Sequence, residues 1–141
     1  MKIKHIYMLA VFTLAIFFLP QVSSAQQTLL GGNGNGSPIN PGAIIEINQL
    51  DGSGTFIGDP ITPGGLSGID FNSAGRLCGS TVEGGGSSSF LVDINPVTGA
   101  LVDTIGEITD AGGTPIKIGD LAFQPGTDVL FGIGASGGPP P

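Results

Sequence analysis

The stretch "SFLVDINPVTGALVDTIG", residues 89–106, has an earlier and fainter counterpart in "AIIEINQLDGSGTFIG", residues 43–58. Glu46-Ile47-Asn48 aligns with Asp93-Ile94-Asn95, and Gly52 with Gly99, at an offset of 47. Each phrase then runs into a second apolar stretch ending in Ile-Gly, at Ile57-Gly58 and Ile105-Gly106. The correspondence continues downstream, where "LSGIDFNSAGRLCGS" from Leu66 pairs with "IGDLAFQPGTDVLFGIG" from Ile118. Ile69 and Phe71 fall on Leu121 and Phe123 at an offset of 52, and Leu77-Cys78-Gly79 on Leu130-Phe131-Gly132 at 53. The drift comes mostly from loop residues inserted in "EITDAGGTPIK".

Between Leu66 and Gly106 the full set of runs is "LSGIDFN", "RLCGSTV", "SFLVDIN" and "ALVDTIG". In the first, Ser67, Ile69 and Phe71 alternate with Gly68 and Asp70, the two-residue period of a strand. "NSAG", "GGGSS" and "NPVTG" separate the runs and are rich in turn formers. No stretch keeps a helical period, and 26 glycines, none within the first 25 residues, oppose helix throughout. The expected class is all-β with antiparallel sheets. Four short strands per period of about 50 residues is the pattern of a propeller-type repeat.

The N-terminus is read separately. "MKIKH" is a basic start, "IYMLAVFTLAIFFLP" an apolar run too short for a comfortable membrane span, and "QVSSA" a small-residue close. That is the layout of a secretory signal peptide over residues 1–25, with cleavage after Ala25. A secreted chain, extracellular or periplasmic, with no membrane insertion after cleavage, is expected. Beyond Ala25 the only bases are Arg76 and Lys117, against all 11 acidic residues. Such a charge balance repels phosphate backbones, so no nucleic-acid partner is expected.

The same segment contains no His, Trp or Tyr. A Ser-His-Asp triad, a Cys-His pair and a His-ligated zinc are therefore absent from it. Cys78 has no second cysteine to pair with, and its apolar neighbours suggest a small buried hydrophobe. No cofactor is expected.

"DINPVTGALVDTIG" followed by "IGDLAFQPGTDVLFGIG" resembles the repeat of secreted bacterial β-propellers of the YVTN and NHL kind. The resemblance covers residues 43–134 and implies radial four-stranded blades, with "LAF.P.G" as the innermost strand. It implies no substrate, because such folds carry many functions. On that pattern the chain holds the outer half of one blade (43–58), one whole blade (66–106) and the inner half of another (118–134). About two blades' worth is an incomplete propeller, since closure takes about 4–8 blades. Either the chain is a piece of a longer propeller, the preferred reading, or short chains assemble head to tail. Open sheet edges are expected at "AIIEIN" and "VLFGIG".

"GGNGNGSPINPG" lacks nucleotide-loop spacing, so residues 26–42 are expected to form a flexible linker and residues 135–141 a disordered tail. "DGSGT" at Asp51 lacks the alternating ligands of a calcium loop and suits a hairpin turn. The remaining site candidates are Asp70 and Asp120, on the innermost strands. Carboxylates there either coordinate a hard cation such as Ca²⁺ or solvate a wet channel and accept turn amides; the second is expected. The sequence thus points to a non-catalytic binding or scaffold module whose partner is an unknown protein or extracellular ligand. A calcium-dependent propeller hydrolase with catalytic residues outside this chain, and a surface or matrix adhesin, are the alternatives.

Overall fold

The two aligned phrases fold into the same hairpin. In each, an Asn opens the turn: Leu50 N–H donates to Asn48 Oδ1 and Val97 N–H to Asn95 Oδ1, both at 2.9 Å. The glycine four residues on closes it, with Gly52 N–H donating to the Asn48 carbonyl at 2.8 Å and Gly99 N–H to the Asn95 carbonyl at 2.9 Å. Both glycines sit at positive φ, 75° and 68°, where a side chain would strain the backbone. This shared turn is what the offset of 47 encodes.

A computed structural model describes residues 28–62, 64–82 and 88–135, and every regular element among them is a β-strand. Residues 1–27 (the expected signal peptide among them), most of the "GGGSS" turn and the expected tail beyond Ala135 lie outside the described residues. The strands are β1 (Leu29–Gly32), β2 (Ile44–Ile47), β3 (Gly54–Ile57), β4 (Leu66–Phe71), β5 (Leu77–Thr81), β6 (Phe90–Ile94), β7 (Leu101–Glu107), β8 (Ile118–Phe123) and β9 (Leu130–Gly134). They form three antiparallel sheets in the orders β1-β2-β3, β4-β5-β6-β7 and β8-β9. The all-β antiparallel class is correct.

Within the expected flexible linker, residues 26–42, the described part from residue 28 on is instead structured. Residues 29–32 form β1, paired with β2 from Leu29↔Ile47 to Gly32↔Ile44. The loop behind β1 is pinned by Asn33, which is 8% exposed. Asn33 Nδ2 donates to the Ile39 and Asn40 carbonyls, each at 2.7 Å, and its carbonyl accepts Gly42 N–H at 2.8 Å and Leu66 N–H at 3.0 Å. A buried side-chain amide that donates twice, on a residue whose backbone carbonyl also accepts two amides, holds a loop as firmly as a strand does. The glycines that suggested slack instead permit close approach: a Cβ on Gly32 would stand 2.9 Å from Leu66 Cβ. The first sheet therefore has three strands, and β2 is an interior strand, not the open edge expected at "AIIEIN".

The core lies between the first and second sheets. Ile44, Leu66, Leu77, Val92 and Ile94 are buried, with Leu30, Ile57, Ile61 and Ile69 packed around them. At the rim the two sheets touch backbone to backbone, Gly58 against Thr98 and Gly99 against the Ile57 carbonyl. The third sheet is barer: Phe131 is 57% and Ile133 69% exposed, in line with the open edge expected at "VLFGIG". We predict that Ile94→Ala lowers stability by about 2–5 kcal/mol through the lost transfer energy and the cavity left behind. Val102→Ala, at a position 60% exposed, should change it by less than about 0.5 kcal/mol. Urea midpoints of the two variants check the contrast.

Candidate functional site

Asp70 ends up at the junction of the second and third sheets, where β4 packs against β8. Its Oδ2 accepts Phe123 N–H from β8 at 2.6 Å, and its Oδ1 accepts Phe71 N–H at 2.8 Å. Asp120 reaches the same junction from the other side. Its Oδ1 accepts Leu121 N–H at 2.8 Å, and the carboxylate rests on the Gly68 backbone. The two candidates are thus brought to one seam, but each is engaged by strand amides. Among the described residues no group of three or more His, Cys, Asp or Glu could hold a metal ion.

Two further groups at this seam are not evident from the sequence alone. Asp128, in the β8–β9 turn, accepts Ser73 N–H on Oδ1 at 2.9 Å and the Ser73 hydroxyl on Oδ2 at 2.6 Å. It thereby ties that turn to the β4–β5 turn. Its φ of 54° is one that Asp tolerates better than most residues, and an acid beside a turn glycine was the available signal. Ser89 is fully buried, and its hydroxyl accepts Ile118 N–H at 3.0 Å at the start of β8. Asp70, Ser89 and Asp128 thus each tie the second sheet or its adjoining loops to the third, while Asp120 bonds within β8.

Elsewhere the acids serve turns. Asp51 accepts the amide and hydroxyl of Ser53 at 2.9 and 2.7 Å, so "DGSGT" is the β2–β3 turn. Asp110 accepts the amides of Gly112 and Thr114, both at 2.8 Å. These bonds hold both carboxyls below the usual Asp value, Asp51 through the Ser53 hydroxyl first and Asp110 through the Thr114 amide first. Arg76 pairs with Asp93 at 2.8 Å across β5 and β6. Cys78 is buried as expected, and burial pushes its thiol pKa up despite the nearby Arg76. A thiol so placed is a poor nucleophile.

A cavity of about 510 Å³ lies along the first sheet, lined by Thr28, Leu29, Glu46, Asn48, Ser53 and Thr55 among others. Neither Asp70 nor Asp120 lines it, and among the described residues Glu46 is its one ionisable lining group. One carboxylate without a base or second acid offers no acid–base pair. Compared with known proteins, the chain matches no family model, no curated protein and no solved structure at a significant level.

The Asp128 link makes a signed prediction. The Ser73 hydroxyl, and then its amide, hold the Asp128 carboxyl below the ordinary 3.8. A depressed carboxyl contributes stability above its unfolded-state value and loses it as pH falls through the folded-state value. Asp128→Asn, which keeps the tolerance for positive φ and removes the charge, should therefore melt modestly below the parent at about pH 7, and the gap should close as pH is lowered from about 4 to about 2. Paired thermal melts across that range check it; a gap that persists undiminished at the acid end contradicts the link.

Proposed function

We propose that the chain is a secreted, non-catalytic β-propeller segment that acts as a binding or scaffold module. The observation that carries this reading is the seam. Strand β4 of one sheet lies beside β8 of the next without ladder pairing, and both carry the apolar-x-Phe phrase, Ile69-Asp70-Phe71 and Leu121-Ala122-Phe123. Innermost strands that neighbour one another around an axis, while pairing outward into separate sheets, are what radial blades require. The outward order β4-β5-β6-β7 is that of a four-stranded blade. Strands β8 and β9 stand as the inner pair of the next blade, and β1-β2-β3 as the outer three of the one before.

The non-catalytic part of the reading rests on how the acids are spent. A hydrolytic site needs convergent carboxylates or a base at one mouth. Here Asp70, Asp120 and Asp128 accept backbone amides, and no histidine follows Ala25. Turn loops on such a scaffold vary freely and carry recognition.

The test uses the chain expressed with its own leader and recovered from the exported fraction. Its first residue by mass spectrometry should be Gln26, and with or without Ca²⁺ it should hydrolyse none of a panel of ester, lactone and glycoside substrates. Calcium-dependent turnover that disappears in Asp70→Asn would replace this reading with the propeller-hydrolase one. Retention of the leader would remove the secreted part.

A further inference from the structure

Three strands carry the same Leu-x-Gly phrase: Leu29-Leu30-Gly31 on β1, Leu77-Cys78-Gly79 on β5 and Leu130-Phe131-Gly132 on β9. Only β5 is paired on both sides, to β4 and β6. The glycines record this. A Cβ on Gly79 would meet Ile94 Cδ1 of β6 at 2.8 Å and Ile69 Cγ2 of β4 at 3.3 Å. On Gly31 it would meet only Ile47 of β2, at 3.1 Å, and on Gly132 only Ile118 of β8, at 3.2 Å. Among the described residues, β1 lacks an inner neighbour and β9 an outer one.

The first sheet is also apolar on the face turned away from the core. Leu29, Ile45 and Ile47 take the register positions that Leu77, Val92 and Ile94 take in the second sheet. Those three are 1%, 2% and 1% exposed, because the first sheet covers them, whereas Leu29 is 47% exposed. At the other end of the molecule an apolar groove of about 200 Å³ runs between the second and third sheets, lined by Leu91, Ile108, Ile118, Leu121, Leu130 and Phe131. Leu91 there is the register counterpart of Ile44, the first-sheet residue buried against the second. The bare face at one end is therefore the counterpart of a face that the groove end would bury.

We propose that the chain associates head to tail by strand exchange, with β1 of a second copy taking the place of β9 on β8. The expected register copies β4–β5, setting Phe123 opposite Leu29, Ala122 opposite Leu30 and Leu121 opposite Gly31. The new sheet, β8-β1-β2-β3, has the strand number and order of β4-β5-β6-β7, and its Leu29, Ile45 and Ile47 face lies over the groove. The reverse exchange, β9 replacing β1 on β2, is ruled out sterically. It would put Ile133 in the place of Gly32, where a Cβ already stands 2.9 Å from Leu66 Cβ. Strand β9 is the one that yields, being mostly exposed and paired to β8 alone. The proposal rests on the blade reading, and the partner is a second copy of this chain.

The test compares three versions of the exported chain by light scattering and non-reducing electrophoresis. The parent should form assemblies of a multiple of the monomer mass. Leu30→Cys with Ala122→Cys should form intermolecular disulfides on oxidation, since the two positions lie on different sheets of one copy. Ala122→Cys with Phe131→Cys, register partners in β8 and β9, should close within one chain and hold it monomeric. A monodisperse monomeric parent, or an assembled parent whose Leu30→Cys, Ala122→Cys variant never links between copies, overturns the proposal. So does assembly that survives the closed Ala122–Phe131 lock. Failure of that lock to close in a folded chain instead removes the β8–β9 pairing, and with it the blade reading.

Discussion

Strand β8 lies against β4 because residue 68 has no side chain. A Cβ on Gly68 would stand 2.7 Å from Leu121 N and would collide with the Asp120 carboxylate. At that distance the neighbouring backbone itself would have to move, so the seam between the second and third sheets depends on this glycine. Once the strands are close, each side supplies the polar groups the other lacks. Asp70 takes the Phe123 amide, Ser89 takes the Ile118 amide and Asp128 takes the Ser73 amide and hydroxyl. Amides at the margins of paired strands are thereby satisfied at low apolar cost.

The contact between the first and second sheets is made differently. There the interface is aliphatic, built on Ile44, Leu66, Leu77, Val92 and Ile94, with Leu66 N–H donating across it to the Asn33 backbone carbonyl. Burial supplies the larger share of the stability on this side, since each aliphatic side chain removed from water is worth about 1.5–3 kcal/mol. The third sheet, in which no strand of the described residues lies outside β9, keeps the polar seam but little of the aliphatic cover. Its low burial follows from strand number, with no defect in its sequence pattern.

Much of this is legible in the sequence. The Asn-to-Gly turns, the strand runs from Ile44 onward and the burial of Cys78 follow from spacing and composition. Strand β1 did not, because "LLGGNGNGSPINPG" reads as slack when glycines are counted, and only its register shows that they serve close approach. The Leu-x-Gly phrase shared with β5 and β9 was the available signal. The seam carboxylates were half legible: Asp70 and Asp120 fall on the expected strands, while their amide partners depend on which sheets meet. Asp128 and Ser73 stand 55 residues apart in sequence, and nothing local to either announces the other.

The arrangement of the three sheets stands on β4 and β8 being backbone neighbours. The most direct measurement is the nuclear Overhauser contact between a Gly68 Hα and the Leu121 amide proton in the isotope-labelled chain. A strong cross-peak is expected, because one Gly68 Hα points along the direction in which a Cβ would meet Leu121 N. Absence of that peak, together with absence of any other contact between residues 66–71 and 118–123, would contradict the arrangement of the sheets.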